Sequence, residues 1–402
     1  MQARLTRRLW SIAQSARVIF LIALTLRLWV LRQLLPGKAF HYFYGYNEPS
    51  RIAWALVSGF GYSSPWPNTP LAPTAQQPPL YPFLIAAIFK MAGAYSYWSL
   101  WIAVGLNAVI SSLSAVMILR LGKRDFGLAA GVLAAWIWSC WLYEAAVSVR
   151  LWESSLSALL LIAGLWLLPE LAVTSRALLW LLFGLLAGVA ALCNTTLLSV
   201  FLPFWIWLWL SHRRRGSSCG RWLLASVAVC LLVLTPWTIR NYRTFHQLMP
   251  IRDNFGMELW IGNHEGVTHQ YPLDYPLLNP AEYNRLGEIT FMETRGEIAT
   301  QFIRQHPAQF LRLSLRRVFL FWTAPTGSAW PWISLLAWLG MVLAIRNKGW
   351  QAVPYAVVLL MFPLVYYITH SYDTYRHPIE PQILLLTSYA ATAIAGPFLR
   401  RR

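Results

Sequence analysis

WSLWIAVGLNAVISSLSAVMILRLGKR, residues 98–124, is the stretch on which the fold turns. From Trp98 to Leu119 no side chain is charged, and Arg120, Lys123 and Arg124 then follow in quick succession. About 20 apolar helical residues cross the hydrocarbon core of a bilayer, and Lys and Arg collect at the cytoplasmic end. The stretch therefore reads as a transmembrane helix running inward. The same pattern recurs along all 402 residues, of which 57% are hydrophobic and 12% charged, with a mean hydropathy of +0.47. That leaves too little polar surface for soluble domains of this length. A net charge of +18 and a pI near 10.1 would suit a nucleic-acid binder, but the basic residues punctuate apolar runs instead of forming a patch. Nucleic acid is accordingly not expected as a partner.

Measured against the same bilayer ruler, ten spans emerge, and the chain reads as an all-α polytopic membrane protein. The first, Val18 to Leu35, follows Arg4, Arg7, Arg8 and Arg17 and puts the N-terminus in the cytoplasm. It has no small-residue cleavage site and reads as a retained helix. Phe126 to Leu168 is too long for one helix and divides where Glu144, Arg150 and Glu153 interrupt it; Ala177 to Leu210 divides near Asn194, Thr195 and Thr196. Trp222–Ile239, Trp332–Ile345, Val353–Thr369 and Ile379–Leu399 complete the set, with Arg213 to Arg215, Arg346, Lys348 and Arg400 to Arg402 at inner ends. Both termini fall in the cytoplasm, as expected of a multi-pass protein of a bacterial inner membrane.

The organisation that follows is a cytoplasmic tail and first span (1–35), a first outer loop (36–97), spans two to seven (98–239), a second outer loop (240–329) and three closing spans (330–402). In the first loop Pro49 to Ser58 reads as a short helix, and Pro79 to Met91, too short to span, as an interfacial one. The second loop is expected to be of mixed structure: Arg252 to Asn263 reads as a glycine-turned, strand-like piece, and Phe310 to Trp322 as an amphipathic surface helix. Cys140, Cys193, Cys219 and Cys230 all lie in spans or the cytoplasmic loop, so they say nothing about the redox state outside. No internal repeat and no inverted transporter-like halves are evident.

Candidate chemistry gathers on the outer face. Glu48, beside Asn47 and Arg51 after Tyr44-Gly45-Tyr46, is the carboxylate of the first loop. A partly desolvated carboxylate there suits a general base, although a glutamate opening a helix also complements the helix dipole. The same loop closes on Gln77-Pro78-Pro79-Leu80-Tyr81-Pro82. Arg240, Asn241, Tyr242 and Arg243 follow the seventh span, where a guanidinium fork suits a phosphate at headgroup depth and snorkelling explains the arginines equally well. Asn263 is a candidate sugar contact. Tyr366 to Pro381 crowds Asp373, Arg376, His377 and Glu380 at the mouth of a span, more than an aromatic belt requires. Inside the membrane, Arg27 and Glu153 are costly to insert and call for partners in the bundle interior. His370, His377 and Asp373 lack tight ligand spacing, so a divalent metal is an option without support and no cofactor is assigned.

Together these pieces resemble the C-type-fold membrane glycosyltransferases, in particular the branch of protein O-mannosyltransferases and aminoarabinose transferases (glycosyltransferase family 39-like). The resemblance rests on Asn47-Glu48, Pro78-Pro79-Leu80-Tyr81-Pro82, Trp152-Glu153, Pro236-Trp237-Thr238-Ile239-Arg240-Asn241-Tyr242 and Tyr375-Arg376-His377-Pro378, and covers nearly the whole chain. It implies transfer of a sugar from a polyprenyl-phosphate donor to an acceptor hydroxyl on a protein, lipid or glycan at the outer face, with inversion. Membrane lipids surround the reaction. Glu48 is then the base, and Arg240, Arg243 and Arg376 hold the donor phosphate. Asn47, Arg51, Gln77, Tyr81, Glu153, Asn241, Tyr242, Asn263, Asp373 and His377 bind or support substrate. Two positions depart from the family pattern: Asn47 stands where an aspartate is usual, and Gln77 where a basic residue often precedes Pro-Pro. The alternative is a non-catalytic transporter or flippase of lipid-linked glycans.

Overall fold

The computed structural model describes residues 10–34, 47–64, 66, 69–267, 279–323 and 330–399. Arg4, Arg7, Arg8, Leu35, Tyr44-Gly45-Tyr46 and Arg400 to Arg402 lie outside the described residues. Within them the chain is a succession of helices: α1 (Ala16–Leu34), α2 (Glu48–Val57), α3 (Leu80–Ala92), α4 (Tyr97–Asp125), α5 (Leu128–Cys140), α6 (Leu142–Ser148), α7 (Ser154–Leu171), α8 (Ala177–Cys193) and α9 (Leu198–Arg214). The second half continues with α10 (Gly220–Phe245), α11 (Phe255–Gly262), α12 (Pro280–Leu286), α13 (Glu288–Gln305), α14 (Pro307–Thr323), α15 (Trp330–Lys348), α16 (Val353–Met361), α17 (Leu364–Ile368) and α18 (Glu380–Leu399).

Each segment that the sequence marks as a span is helical. By length and composition five stretches among the described residues can cross a membrane: Tyr97–Asp125, Ser154–Leu171, Thr195–Arg214, Gly220–Phe245 and Trp330–Ile368. A sixth is added if α5 and α6, bent by 66° at Trp141, count as one span. The bend has a visible compensation. Arg27 of α1 is fully buried and donates to the carbonyls of Trp138 and Ser139 at 3.0 and 3.3 Å, and to Ser111 Oγ of α4 at 2.8 Å. Those carbonyls belong to the last turn of α5, where helical partners run out and, in hydrocarbon, no water replaces them. The buried arginine thus serves as a helix C-cap that ties α1, α4 and α5 together.

Close helix packing rests on small residues. Gly184 of α8 lies against α10 so closely that a Cβ there would collide with the Ser226 carbonyl. Gly184→Ala is expected to cost about 1–3 kcal/mol, the usual penalty for overpacking, seen as a lowered unfolding temperature in detergent.

The segment after α10 corrects one expectation. Phe255–Gly262 is a helix, and among the described residues the only β feature is an isolated bridge between Ser63 and Pro73. Gly256 and Gly262 are present for close approach, not for turns. A Cβ on Gly256 would strike the Met292 carbonyl of α13, and one on Gly262 the Thr369 carbonyl. The apolar residues Met257, Trp260 and Ile261 bury together against Phe291 and Met292 of α13, which explains the helical period. Helix α3 has the expected length and buries Tyr81, Ile85, Ile88 and Phe89 in one cluster with Leu31, Ala53 and Val104.

Candidate active site

The helix breaks that the sequence marks with polar residues meet at one end of the bundle. Asn194 leaves the helix after α8 and its Oδ1 accepts from the Thr196 N–H at 3.0 Å, opening the short 3-10 turn before α9. Glu153 occupies the N-cap position of α7. The turn before it is held by Asn107 of α4, whose Nδ2 donates to the Arg150 carbonyl and the Tyr81 hydroxyl at 2.7 Å each, and to the Trp152 carbonyl at 3.2 Å. Asn47 reaches the same turn from the other side: its Oδ1 caps α2 by accepting from Ser50 N at 3.1 Å, and its Nδ2 donates to the Leu151 carbonyl at 2.6 Å. A capping asparagine followed by Pro49 is a standard helix start, so the sequence places Glu48 on the first turn and points it inward.

Between these breaks lies a cavity of about 440 Å³. Glu48, Gln77, Trp152 and Glu153 line one side, and Arg252, Glu258, Tyr366, His370 and Tyr375 another, with Asn194 and Thr196 between. Gln77 donates through its side-chain amide to the Glu48 carboxylate. Burial pushes Glu48 up to about 7, and Glu258 adds to the rise, against the pull of Arg252 and Gln77. Arg252 is the one arginine or lysine among the described residues lining the cavity. It is oriented by donation from Nε to the Gln76 carbonyl at 3.1 Å and from Nη2 to Glu258 Oε1 at 3.3 Å. Asn254 Nδ2 donates to the same Glu258 oxygen at 2.5 Å. His370 Nε2 lies 3.0 Å from the Tyr375 hydroxyl, and burial lowers the histidine below its ordinary range, favouring the neutral ring at pH 7. No three His, Cys, Asp or Glu side chains come together as a metal site among the described residues.

Residues 76–239 match the family described as dolichyl-phosphate-mannose-protein mannosyltransferase. No curated protein matches the chain. Among solved structures, the archaeal oligosaccharyltransferase AglB of Archaeoglobus fulgidus, in complex with an inhibitory peptide and a dolichol-phosphate, aligns with a TM-score of 0.60 at 13% identity over 96% of this chain. The apo form of the Archaeoglobus fulgidus oligosaccharyltransferase gives 0.59 at 14% identity, also over 96%. The chain shares the fold of these oligosaccharyltransferases. This chain spans about half the length of those oligosaccharyltransferase chains, 51% in each case. ArnT of Cupriavidus metallidurans bound to undecaprenyl phosphate covers 99% of this chain and 81% of its own at 13% identity, with a TM-score of 0.39, too low to argue from.

Within this fold, the residues expected from sequence divide into two groups. Glu48, Gln77 and Glu153 line the cavity, and Asn47 and Tyr81 brace its walls. The three arginines assigned to the donor phosphate do not line it. Arg240 donates to the carbonyls of Thr74 and Tyr62 at 2.7 and 3.0 Å and lies against the Trp237 ring at 4.9 Å, pinning the first loop to α10. Asn241 is buried and donates to the carbonyls of Met249 and Ile251, while Tyr242 and Arg243 are exposed. Arg376 is fully buried in a two-point ion pair with Glu380, at 2.6 and 3.0 Å, and donates to Ser334 Oγ at 2.7 Å. Asp373 accepts from the Tyr143 hydroxyl at 2.7 Å, and His377 Nδ1 meets Glu144 Oε2 at 2.6 Å. Asn263 donates to the carbonyls of Leu259 and Ile368, which joins α11 to α17. Arg51 is half-buried one turn along α2, near Tyr95. The dense 373–380 segment is therefore a buried anchor, and it presents Tyr375 to the cavity.

Among the cavity residues given no catalytic or substrate role from sequence are Arg252, Glu258, Tyr366 and Tyr375, and His370, weighed there only as a metal ligand. A signal existed in Arg252-Asp253-Asn254, polar residues just before an apolar helix, but a strand reading hid the direction in which Arg252 points.

Proposed function

We propose that this chain is an integral-membrane glycosyltransferase that moves a sugar from a polyprenyl-phosphate donor to an acceptor hydroxyl within the 440 Å³ cavity. The observation that carries the reading is the convergence, in one cavity at the helix breaks, of half-buried carboxylates with an oriented arginine. Glu48 takes the proton of the acceptor hydroxyl, and that oxygen attacks the anomeric carbon. The bond from that carbon to the phosphate oxygen breaks, and polyprenyl phosphate leaves with its added negative charge facing Arg252. A single displacement inverts the anomeric centre. Gln77, standing where the family often has a basic residue, holds Glu48, and Arg252 supplies the cation from the second outer segment. The faces of Trp66 and Trp152 on the cavity wall suit the C–H face of a sugar ring. Ten spans, with α1, α8 and α18 among them, put the cavity on the outer face and both termini in the cytoplasm.

The test is Arg252→Ala in the purified full chain, with sugar transfer assayed from a panel of polyprenyl-phosphate-linked sugars and release of polyprenyl phosphate as readout. Losing one donor to a developing anion lowers turnover by about 10²–10³-fold. Full turnover would remove Arg252 from the mechanism. Lipid-linked sugar moved across vesicles without any release of polyprenyl phosphate would favour a flippase instead.

A further inference from the structure

A second cavity, of about 380 Å³, lies at the opposite end of the same helices. Glu153 and Ser154 at the start of α7 line the first cavity, whereas Leu165, Leu168 and Ala172 at its end line the second. Helix α9 and the 3-10 turn before it repeat this division, with Thr196 and Ser199 in the first and Ser211 and Arg214 in the second. The 18 residues of α7 rise roughly 27 Å, so the two cavities are separated by about a bilayer core. Nothing in the proposed sugar transfer uses this second cavity.

Its wall is strongly cationic. Arg124, Arg214, Arg215 and Lys348 arrive from three distant segments, and Asp125 is the only carboxylate among the lining residues. Asp125 is already engaged: it accepts from Arg124 Nε at 2.6 Å and from the Tyr355 hydroxyl at 2.7 Å. The charges of Arg214, Arg215 and Lys348 thus have no carboxylate left on the wall to balance them. The arrangement is also ordered. The Arg214 guanidinium lies 3.7 Å from the Trp350 ring centre, and Trp350 stacks on Trp207 with centroids 6.1 Å apart. Trp350 Nε1 donates to Ser211 Oγ at 2.7 Å, which fixes the platform beneath the arginine. Charge at the inner ends of spans accounts for the number of basic residues, but not for their meeting around a concave wall. The other half of that wall is apolar: Leu165, Leu168, Ala172 and Phe126 are buried within it, and Val173 stands exposed at its edge.

From this juxtaposition we infer that the second cavity binds an anionic amphiphile, a phospholipid whose phosphate meets Arg214, Arg215 and Lys348 and whose acyl chain lies on the α7 wall. A guanidinium presents paired N–H donors that match phosphate oxygens, and the apolar half gives the acyl chain a surface that a soluble anion would leave unused.

The experiment compares retention of phosphatidylglycerol and phosphatidylcholine by the detergent-solubilised full chain in native mass spectrometry. Thermal unfolding is followed in parallel with short-chain phosphatidylglycerol or inorganic phosphate added. Phosphatidylglycerol is retained in preference, and Arg214→Gln with Lys348→Gln reduces that preference by about tenfold or more. Val173→Asp, at an exposed position where folding is not at stake, weakens it in the same direction. Equal retention of the two lipids, an undiminished preference in the double variant, or stabilisation by inorganic phosphate equal to that by the lipid would each overturn the assignment.

Discussion

Glu48→Gln lowers sugar transfer by about 10²–10⁴-fold, the usual contribution of a positioned general base, while donor binding is retained. The amide matches the carboxylate in shape and remains in reach of the Gln77 side chain, so the variant removes the basicity and little else. The pH profile makes the assignment specific. Burial holds the Glu48 proton up to about 7, so kcat/KM rises with pH through about 7 as the carboxylate ionises. In Glu48→Gln that rising limb disappears. Stability runs the other way. A carboxyl whose folded pKa is raised contributes stability below its ordinary range and loses it as pH rises through about 7. At pH 8 the glutamine variant is therefore at least as stable as the parent despite its lost activity. An unchanged rate, or a loss of rate that tracks a loss of folded protein, would remove Glu48 as the base.

Arg376→Ala is expected to lower stability by about 3–5 kcal/mol, because it strands the Glu380 carboxylate in the protein interior. Replacing both partners with apolar residues of similar volume, Arg376→Met with Glu380→Leu, restores most of the loss, since a buried ion pair is worth little against a well-packed apolar pair. The comparison is read as denaturation in detergent with a double-mutant cycle. If Arg376→Ala folded normally and instead lost affinity for the lipid-linked donor, Arg376 would return to the donor site that its motif suggests.

These two residues show where sequence reading succeeds and where it stops. Glu48 was legible because its position depends on near neighbours: Asn47 caps the helix, Glu48 opens it and Pro49 follows in the first turn. The breaks at Glu153 and Asn194 were legible for a similar reason, as polar residues interrupting runs too long for one span. The burial of Arg376 away from the cavity was not legible, because arginine, aspartate, histidine and glutamate crowded together look alike whether they face a substrate or one another. Only the arrival of Ser334 from α15, Glu144 from α6 and Tyr143 beside it shows that Arg376, His377 and Asp373 are each bonded within the protein. Arg240 is the same case at longer range, spent on carbonyls of a loop far upstream.

What the sequence determined by itself is the membrane-spanning helical class, most helix boundaries and the placing of Glu48, since these follow from hydropathy over about 20 residues and from caps a few residues apart. What only the tertiary structure decided is which cations face the cavity. An arginine side chain is long and finds its acceptors in space, and the acceptors of Arg240, Arg252 and Arg376 lie mostly on other elements. Of the arginines in question, Arg252 lines the cavity, and Arg240, Arg243 and Arg376 do not. The direction of Arg252 depends on α11 being a helix, and that in turn on two glycines that let α13 and the Thr369 carbonyl come close.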